Sequence, residues 1–175
     1  MPFPAQKIRL YSQREIKKRV KELALSISKD YKNEELILIG VLKGSFVFLS
    51  DLARYLSIPV KLDFVRLASY GSNSQSQGKI RLTKGLELPV RDKHILVVED
   101  IVDSGQTLKF LKEFLNKENP KSVRICALID KNERREVTIK IDYCGFSIPQ
   151  GFIVGYGLDF DEQYRHLPNL YQLLF

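Results

Sequence analysis

Glu99-Asp100-Ile101-Val102-Asp103-Ser104-Gly105-Gln106-Thr107 puts three carboxylates, two hydroxyls and a glycine into nine consecutive residues. An apolar strand runs into the two adjacent acids, and a helical pattern begins at the far end. Such a strand-to-helix junction holds phosphate on the helix N-terminus, where backbone N–H groups lack partners and the positive end of the dipole faces outward. Asp103 to Thr107 would supply successive N–H groups, with Gly105 letting a ligand come close. A plain N-cap by Asp103 or Ser104 would explain the turn alone. It leaves Glu99 and Asp100 unexplained, because neighbouring carboxylates repel unless a cation or hydroxyl groups lie between them.

The elements needed to position these residues are legible around them. Ser12 and Glu15 make a capping box, and Ile16, Val20, Leu23, Ala24 and Ile27 recur on one face of the helix that follows. Residues 36–41 read as a buried strand. A helix over 44–56 follows, with Phe46, Leu49, Leu52, Ala53 and Leu56 turned inward. Further strands are expected at 60–67, 94–99 and 122–129, and a helix at 107–117 with Leu108, Leu111, Phe114 and Leu115 on one side. Alternating strands and helices predict a mostly parallel sheet covered on both faces. Ligands of such sheets bind at the carboxyl ends of the strands. Lys43-Gly44, Glu99-Asp100 and Asp130-Lys131 each follow an apolar strand and so belong at that edge.

Residues 69–78 (Ser-Tyr-Gly-Ser-Asn-Ser-Gln-Ser-Gln-Gly) are polar and aperiodic, too long for a tight hairpin, and read as either a loose connection or a lid. The segment from Phe146 onward is richer in aromatics and glycine, and is expected to form a small hood over the sheet edge with the N-terminal residues.

At 175 residues, 44% hydrophobic and 28% charged, the chain fits one globular domain with a real core and is not a disordered chain. No apolar run is long enough to span a bilayer, and the first residues lack the apolar core of a signal peptide, so a cytoplasmic protein is expected. Cys126 and Cys144 have neither metal-ligand nor disulfide spacing, and His94 and His166 are too isolated for a zinc site or a triad. The net charge of +7 is scattered, densest at Lys17-Lys18-Arg19-Val20-Lys21 and Arg134-Arg135, which reads as a solvated face rather than a nucleic-acid surface.

The run Val97 to Leu108, together with Val41-Leu42-Lys43-Gly44, Ser69-Tyr70, Asp130-Lys131, Phe152-Ile153-Val154-Gly155-Tyr156-Gly157-Leu158-Asp159 and Arg165, closely resembles the type I phosphoribosyltransferases, most of all their hypoxanthine-guanine (6-oxopurine) branch. The resemblance implies an α/β, single-domain, Rossmann-like parallel sheet spanning 1–175, with a hood and a flexible lid loop at 69–78. It implies transfer of the 5-phosphoribosyl group from phosphoribosyl pyrophosphate (PRPP) to hypoxanthine or guanine, giving IMP or GMP and pyrophosphate. Asp103 matches the residue that takes the purine proton. Asp103, Ser104, Gly105, Gln106 and Thr107 match the phosphate loop, although Gln106 stands where relatives often carry a basic residue. Glu99 and Asp100 match residues that hold the ribose hydroxyls and, with Asp159, help place Mg2+. Lys43 and Gly44 match the pyrophosphate loop, whose peptide before the lysine (here Leu42-Lys43) is commonly cis; Ser45 replaces a second glycine of several relatives. Arg165 matches an arginine that reaches pyrophosphate. Lys131 matches the donor to the 6-oxo group and N7, which disfavours adenine. Phe152 matches the stacking aromatic, and the backbone of Ile153 and Asp159 the place where a 2-amino group is read. Ser69 and Tyr70 match the lid, and a homodimer or homotetramer is implied.

A regulator on the same fold, binding PRPP or nucleotides as signals and nucleic acid through a basic face, is the competing reading. No separate DNA-reading domain is visible, and the set Asp103, Lys131 and Arg165 favours catalysis. The dinucleotide fingerprint G-x-G-x-x-G and the Walker motif are both missing from the sequence.

Overall fold

The structure is a computed structural model that describes residues 6–70 and 79–175. Two sheets carry its strands. The larger contains β2 (Leu36–Leu42), β3 (Val60–Tyr70), β4 (Lys79–Lys84), β5 (His94–Val102), β6 (Ser122–Asp130) and β7 (Tyr143–Ser147), in the order β4-β3-β2-β5-β6-β7. All neighbours are parallel except β4, which pairs antiparallel with β3 at the edge. From β2 the chain moves outward to β3 and β4, then returns to lay β5, β6 and β7 on the other side. The β2/β5 crevice is therefore the topological switch point, where sheets of this kind bind ligands.

Strand periodicity divides the core. Leu36 and Leu38 of β2, Leu96 and Val98 of β5, and Cys126 and Leu128 of β6 pack on one face with helices α1 (Gln13–Asp30) and α2 (Phe46–Tyr55). Ile37, Ile39, Val41, Ile95, Val97, Ile125 and Ala127 face the other way, onto Leu108, Leu111 and Leu115 of α3 (Gln106–Lys117). Helices thus cover both faces, as expected for buried parallel strands. The Ser12–Glu15 capping box closes the start of α1, and the five apolar residues assigned to its inner face are all buried.

The smaller sheet joins β1 (Gln6–Tyr11), β8 (Phe152–Val154) and β9 (Leu170–Leu174) in antiparallel order β1-β9-β8. It forms the hood from the two ends of the described chain. Among the described residues, no helix is long and apolar enough to cross a membrane.

Three elements differ from the sequence reading by more than one residue. β3 runs on through Ser69 and Tyr70, whose backbones pair with Ile80 and Lys79. The rest of the expected lid, 71–78, lies outside the described residues. α2 begins at Phe46 because Ser45 turns its hydroxyl back to donate to Val41 O at 2.7 Å, leaving Lys43-Gly44-Ser45 as a loop. Its buried face is Phe48, Leu49 and Leu52, while Phe46, expected inside, is 45% exposed and lines a depression with Tyr55, Tyr156 and Arg165. Most consequential, β5 continues to Val102, so Glu99 and Asp100 lie within the strand rather than at its end.

Candidate active site

Successive residues of a strand point to opposite sides. With β5 extended to Val102, that rule separates Glu99 from Asp100. Glu99 lines a cleft of about 230 Å³ with Leu42, Ser104, Gly105, Thr107 and Leu108. Asp100 lines a second, of about 380 Å³, with Lys131, Phe152, Ile153 and Asp159. Asp103 and Ile101 border both. The two clefts therefore meet at Asp103.

The first cleft is walled by the junction between β5 and α3. The N-cap of α3 is Gly105, at φ +84° in the left-handed region that favours glycine, and no side chain caps it. Neither Asp103 nor Ser104 is the cap residue; Ser104 Oγ accepts only a long 3.3 Å bond from Gln106 N. The loop is fixed from behind, where Ser104 O accepts from Glu136 N and Val137 N at 3.0 and 3.2 Å. The Gln106 side chain turns away and donates to Glu136 Oε2 at 3.1 Å, so its contribution to the loop is backbone alone.

Burial, reinforced by the adjoining Asp100, pushes Glu99 well above the ordinary carboxylate range; burial raises Asp100 as well. Asp100 is pinned by Ile101 N, which donates to its Oδ1 at 2.8 Å, and by Gly44 across the crevice. A Cβ added at Gly44 would stand 1.6 Å from Asp100 Oδ2, so only glycine lets the two loops approach this closely. Among the described residues no three of His, Cys, Asp and Glu converge to hold a metal unaided. Asp159 thus does not join Glu99 and Asp100 in one cluster; its Oδ1 pairs with Arg165 Nη2 at 2.8 Å.

Lys43 and Arg165, far apart in sequence, come together beside that crevice. The Leu42–Lys43 peptide is cis. Lys43 Nζ lies 2.8 Å from Glu162 Oε1, and Arg165 Nη2 lies 3.3 Å from Glu162 Oε2. One carboxylate thereby bridges both cations, which hold it below the ordinary carboxylate range, Lys43 contributing most. Arg165 Nη1 also donates to Gly157 O at 2.8 Å, while its Nε is buried without a hydrogen-bond partner among the described residues.

In the second cleft Lys131 is buried, with Nζ 3.5 Å from Asp103 Oδ2 and 3.2 Å from Glu133 Oε2. Asp103 Oδ1 is buried and free of partners among the described residues, which leaves an acceptor at the junction of the clefts. Phe152 exposes its ring here, held edge-on by Phe160 at 5.5 Å and Phe175 at 6.0 Å between centroids. Ile153 and Asp159 line the same space.

Several contributors escaped the sequence reading. Arg135, assigned there to a solvated face, is largely buried: it donates to Asp103 O at 2.8 Å, Val102 O at 3.0 Å and Lys131 O at 3.1 Å, and pairs with Asp130. It locks the loop after β5 to the loop after β6. Glu133, Glu162 and Phe175 reach the site only through contacts the fold creates, and no local signal marks them. Ser69 and Tyr70 are placed by the backbone pairing of β3 with β4 alone.

The family described as "Phosphoribosyl transferase domain" matches residues 8–161. A hypoxanthine-guanine phosphoribosyltransferase of Dictyostelium discoideum is 48% identical over 168 residues, 94% of this chain and 93% of the relative. Among solved structures, a hypoxanthine-guanine phosphoribosyltransferase from Bacillus anthracis superimposes with a TM-score of 0.89 at 44% identity, covering 95% of this chain and 97% of that one. A ternary substrates complex of a hypoxanthine phosphoribosyltransferase from Trypanosoma cruzi gives 0.90 at 38% identity, covering 97% and 95%.

Proposed function

This chain belongs to the phosphoribosyl transferase family, and from that premise we propose that it is a purine-salvage enzyme that transfers the 5-phosphoribosyl group of PRPP to hypoxanthine or guanine. The products are IMP or GMP and pyrophosphate. The observation that carries the assignment to this site is the meeting of a phosphate-type cleft and a base-type cleft at a carboxylate with one unused oxygen.

The chemistry follows from the placement. PRPP lies with its 5-phosphate on the uncapped start of α3, where partnerless N–H groups and the helix dipole favour an anion. Its ribose hydroxyls meet Glu99 and Asp100, whose raised affinity for protons reflects burial that hydroxyl donors would relieve. Lys43 and Arg165 take the pyrophosphate, exchanging the Glu162 carboxylate for phosphate oxygens. The purine stacks on Phe152, and Lys131 donates to its 6-oxo group. The purine nitrogen forms the new bond to C1, the C1–O bond to pyrophosphate breaks, and the nitrogen's proton passes to Asp103. Such a positioned base contributes on the order of 10²- to 10⁴-fold.

Glu99, Asp100 and Asp159 do not form one cluster, so Mg2+ would be held mainly by substrate oxygens with one or two of these carboxylates beside it, the usual protein share of such a site. When bound, the ion offsets the charge on the leaving pyrophosphate. We read 1–175 as one phosphoribosyltransferase domain, cytoplasmic, with its free Cys126 and Cys144 suited to a reducing compartment. A homodimer or homotetramer would give the exposed Phe46 ring a covering surface. Nothing favours the regulator.

The test is nucleotide formation from Mg-PRPP with hypoxanthine, guanine, xanthine, adenine and uracil offered separately. Hypoxanthine and guanine should turn over and adenine and uracil should not. Turnover of adenine at a comparable rate would remove Lys131 as the base reader.

A further inference from the structure

Resting on the reading of Lys131 as the base-recognising lysine, we propose that Glu133 is a positioning residue that assembles the purine pocket from its two separately built halves. Lys131 stands on the loop after β6, in the main sheet; Phe152 stands on β8, in the hood. A single oxygen joins them. Glu133 Oε2 forms an ion pair with Lys131 Nζ at 3.2 Å and accepts from the backbone N–H of Gly151 at 3.1 Å, one residue before the stacking phenylalanine. Those same two donors hold the Glu133 carboxyl below the ordinary carboxylate range.

The arrangement fixes where the lysine's hydrogen bonds go. An ammonium has three donors and no acceptor. One reaches Asp103 over a long 3.5 Å, the ammonium is drawn toward the Glu133 carboxylate 3.2 Å away, and a donor remains for a purine. Without Glu133 the buried ammonium has Asp103 as its sole charged partner among the described residues. It would then draw on the carboxylate that must receive the purine proton and tilt away from the 6-oxo group. The Gly151 N–H would lose its acceptor at the same moment, loosening the hood strand that carries Phe152. Both effects fall first on the base, because Glu133 lines the base cleft and not the phosphate cleft.

The experiment is steady-state kinetics of Glu133 variants with each substrate varied in turn, alongside thermal melts. Glu133→Ala should raise KM for hypoxanthine about tenfold, the scale of one lost hydrogen bond to a charged group. KM for PRPP should stay within about twofold, since Glu133 lines the base cleft and not the phosphate cleft. Glu133→Gln keeps an acceptor oxygen for both donors and should recover most of the loss. Glu133→Asp keeps the charge on an arm one methylene shorter, cannot span both donors, and should behave like Ala. In a Lys131→Ala background, Glu133→Ala should add less than it does alone, because only its hold on Gly151 is left to lose. Equal rises in KM for hypoxanthine and PRPP, or wild-type hypoxanthine KM in both Ala and Asp variants, would overturn the proposal. If Lys131→Ala itself leaves hypoxanthine KM unchanged, the reading of Lys131 falls and takes the proposal with it. If Lys131→Ala raises it while Glu133→Ala does not, only the role of Glu133 is lost.

Discussion

Gly44→Ala adds one methyl group where the loop after β2 meets Asp100 of β5 across the crevice. The new Cβ would fall 1.6 Å from Asp100 Oδ2 and 2.6 Å from its Cγ. Ordinary van der Waals contact requires the carboxylate to retreat by about 2 Å. It cannot do so freely, since Asp100 Oδ1 is held by Ile101 N at 2.8 Å within a paired strand. Either that bond breaks, at a cost of roughly 1.5 to 3 kcal/mol for a charged acceptor, or the Lys43–Gly44 loop moves instead. Both outcomes displace a group assigned to PRPP, and a misplacement of about 1 Å costs on the order of 100-fold in rate. We therefore expect kcat/KM for PRPP to fall by about 100-fold or more, measured by pyrophosphate-coupled initial rates. Gly85→Ala is the matched control, because nothing lies within 4 Å of its added Cβ. A Gly44→Ala enzyme within about threefold of the parent, beside a folded Gly85→Ala control, would refute the claim that this approach shapes the PRPP site.

Asp103→Asn removes the proton acceptor while keeping its shape, so kcat should drop by about 10² or more with PRPP affinity nearly unchanged, as read by single-turnover kinetics and PRPP titration. Glu162→Gln should tighten product inhibition by pyrophosphate about two- to fivefold, because the carboxylate bridging Lys43 and Arg165 no longer competes with the anion. Asp63 tests stability instead. Burial alone would raise its pKa, but N–H donors from Leu88, Glu87 and Phe64, with Lys84, outweigh it and leave the group below its ordinary value of 3.8. A depressed carboxylate stabilises the fold above the unfolded pKa, and that contribution is lost as pH falls through the folded value. Asp63→Asn should therefore lower stability by roughly 2 kcal/mol near neutral pH, with the gap in melting temperature closing as the pH drops below about 4.

Much of the frame was legible because it rests on periodicity. The Ser12–Glu15 box, the inner face of α1 and the run of buried strands follow from local pattern, and the strand rule put Lys43, Glu99 and Lys131 at one edge of the sheet. The hood strands were harder to see, since they are short; Gln6 to Arg9 are exposed along most of β1, which leaves no apolar alternation to read. The end of β5 was read three residues early, because two acids look like a stop in an apolar strand. Only pairing with β6 through Val102 shows that Glu99 and Asp100 face different clefts. Arg135 looked like surface charge because two of its acceptors, the carbonyls of Val102 and Asp103, lie more than 30 residues earlier. Glu133 and Gly151 are 18 residues apart and meet only once the hood closes onto the sheet.

The most direct test is a time course of IMP and pyrophosphate from Mg-PRPP with and without hypoxanthine. Phosphoribosyl transfer at this site requires the two products to rise together in equal amounts and to vanish when the base is omitted. Pyrophosphate released without IMP would make the protein a PRPP hydrolase. PRPP binding without either product would contradict the enzyme altogether.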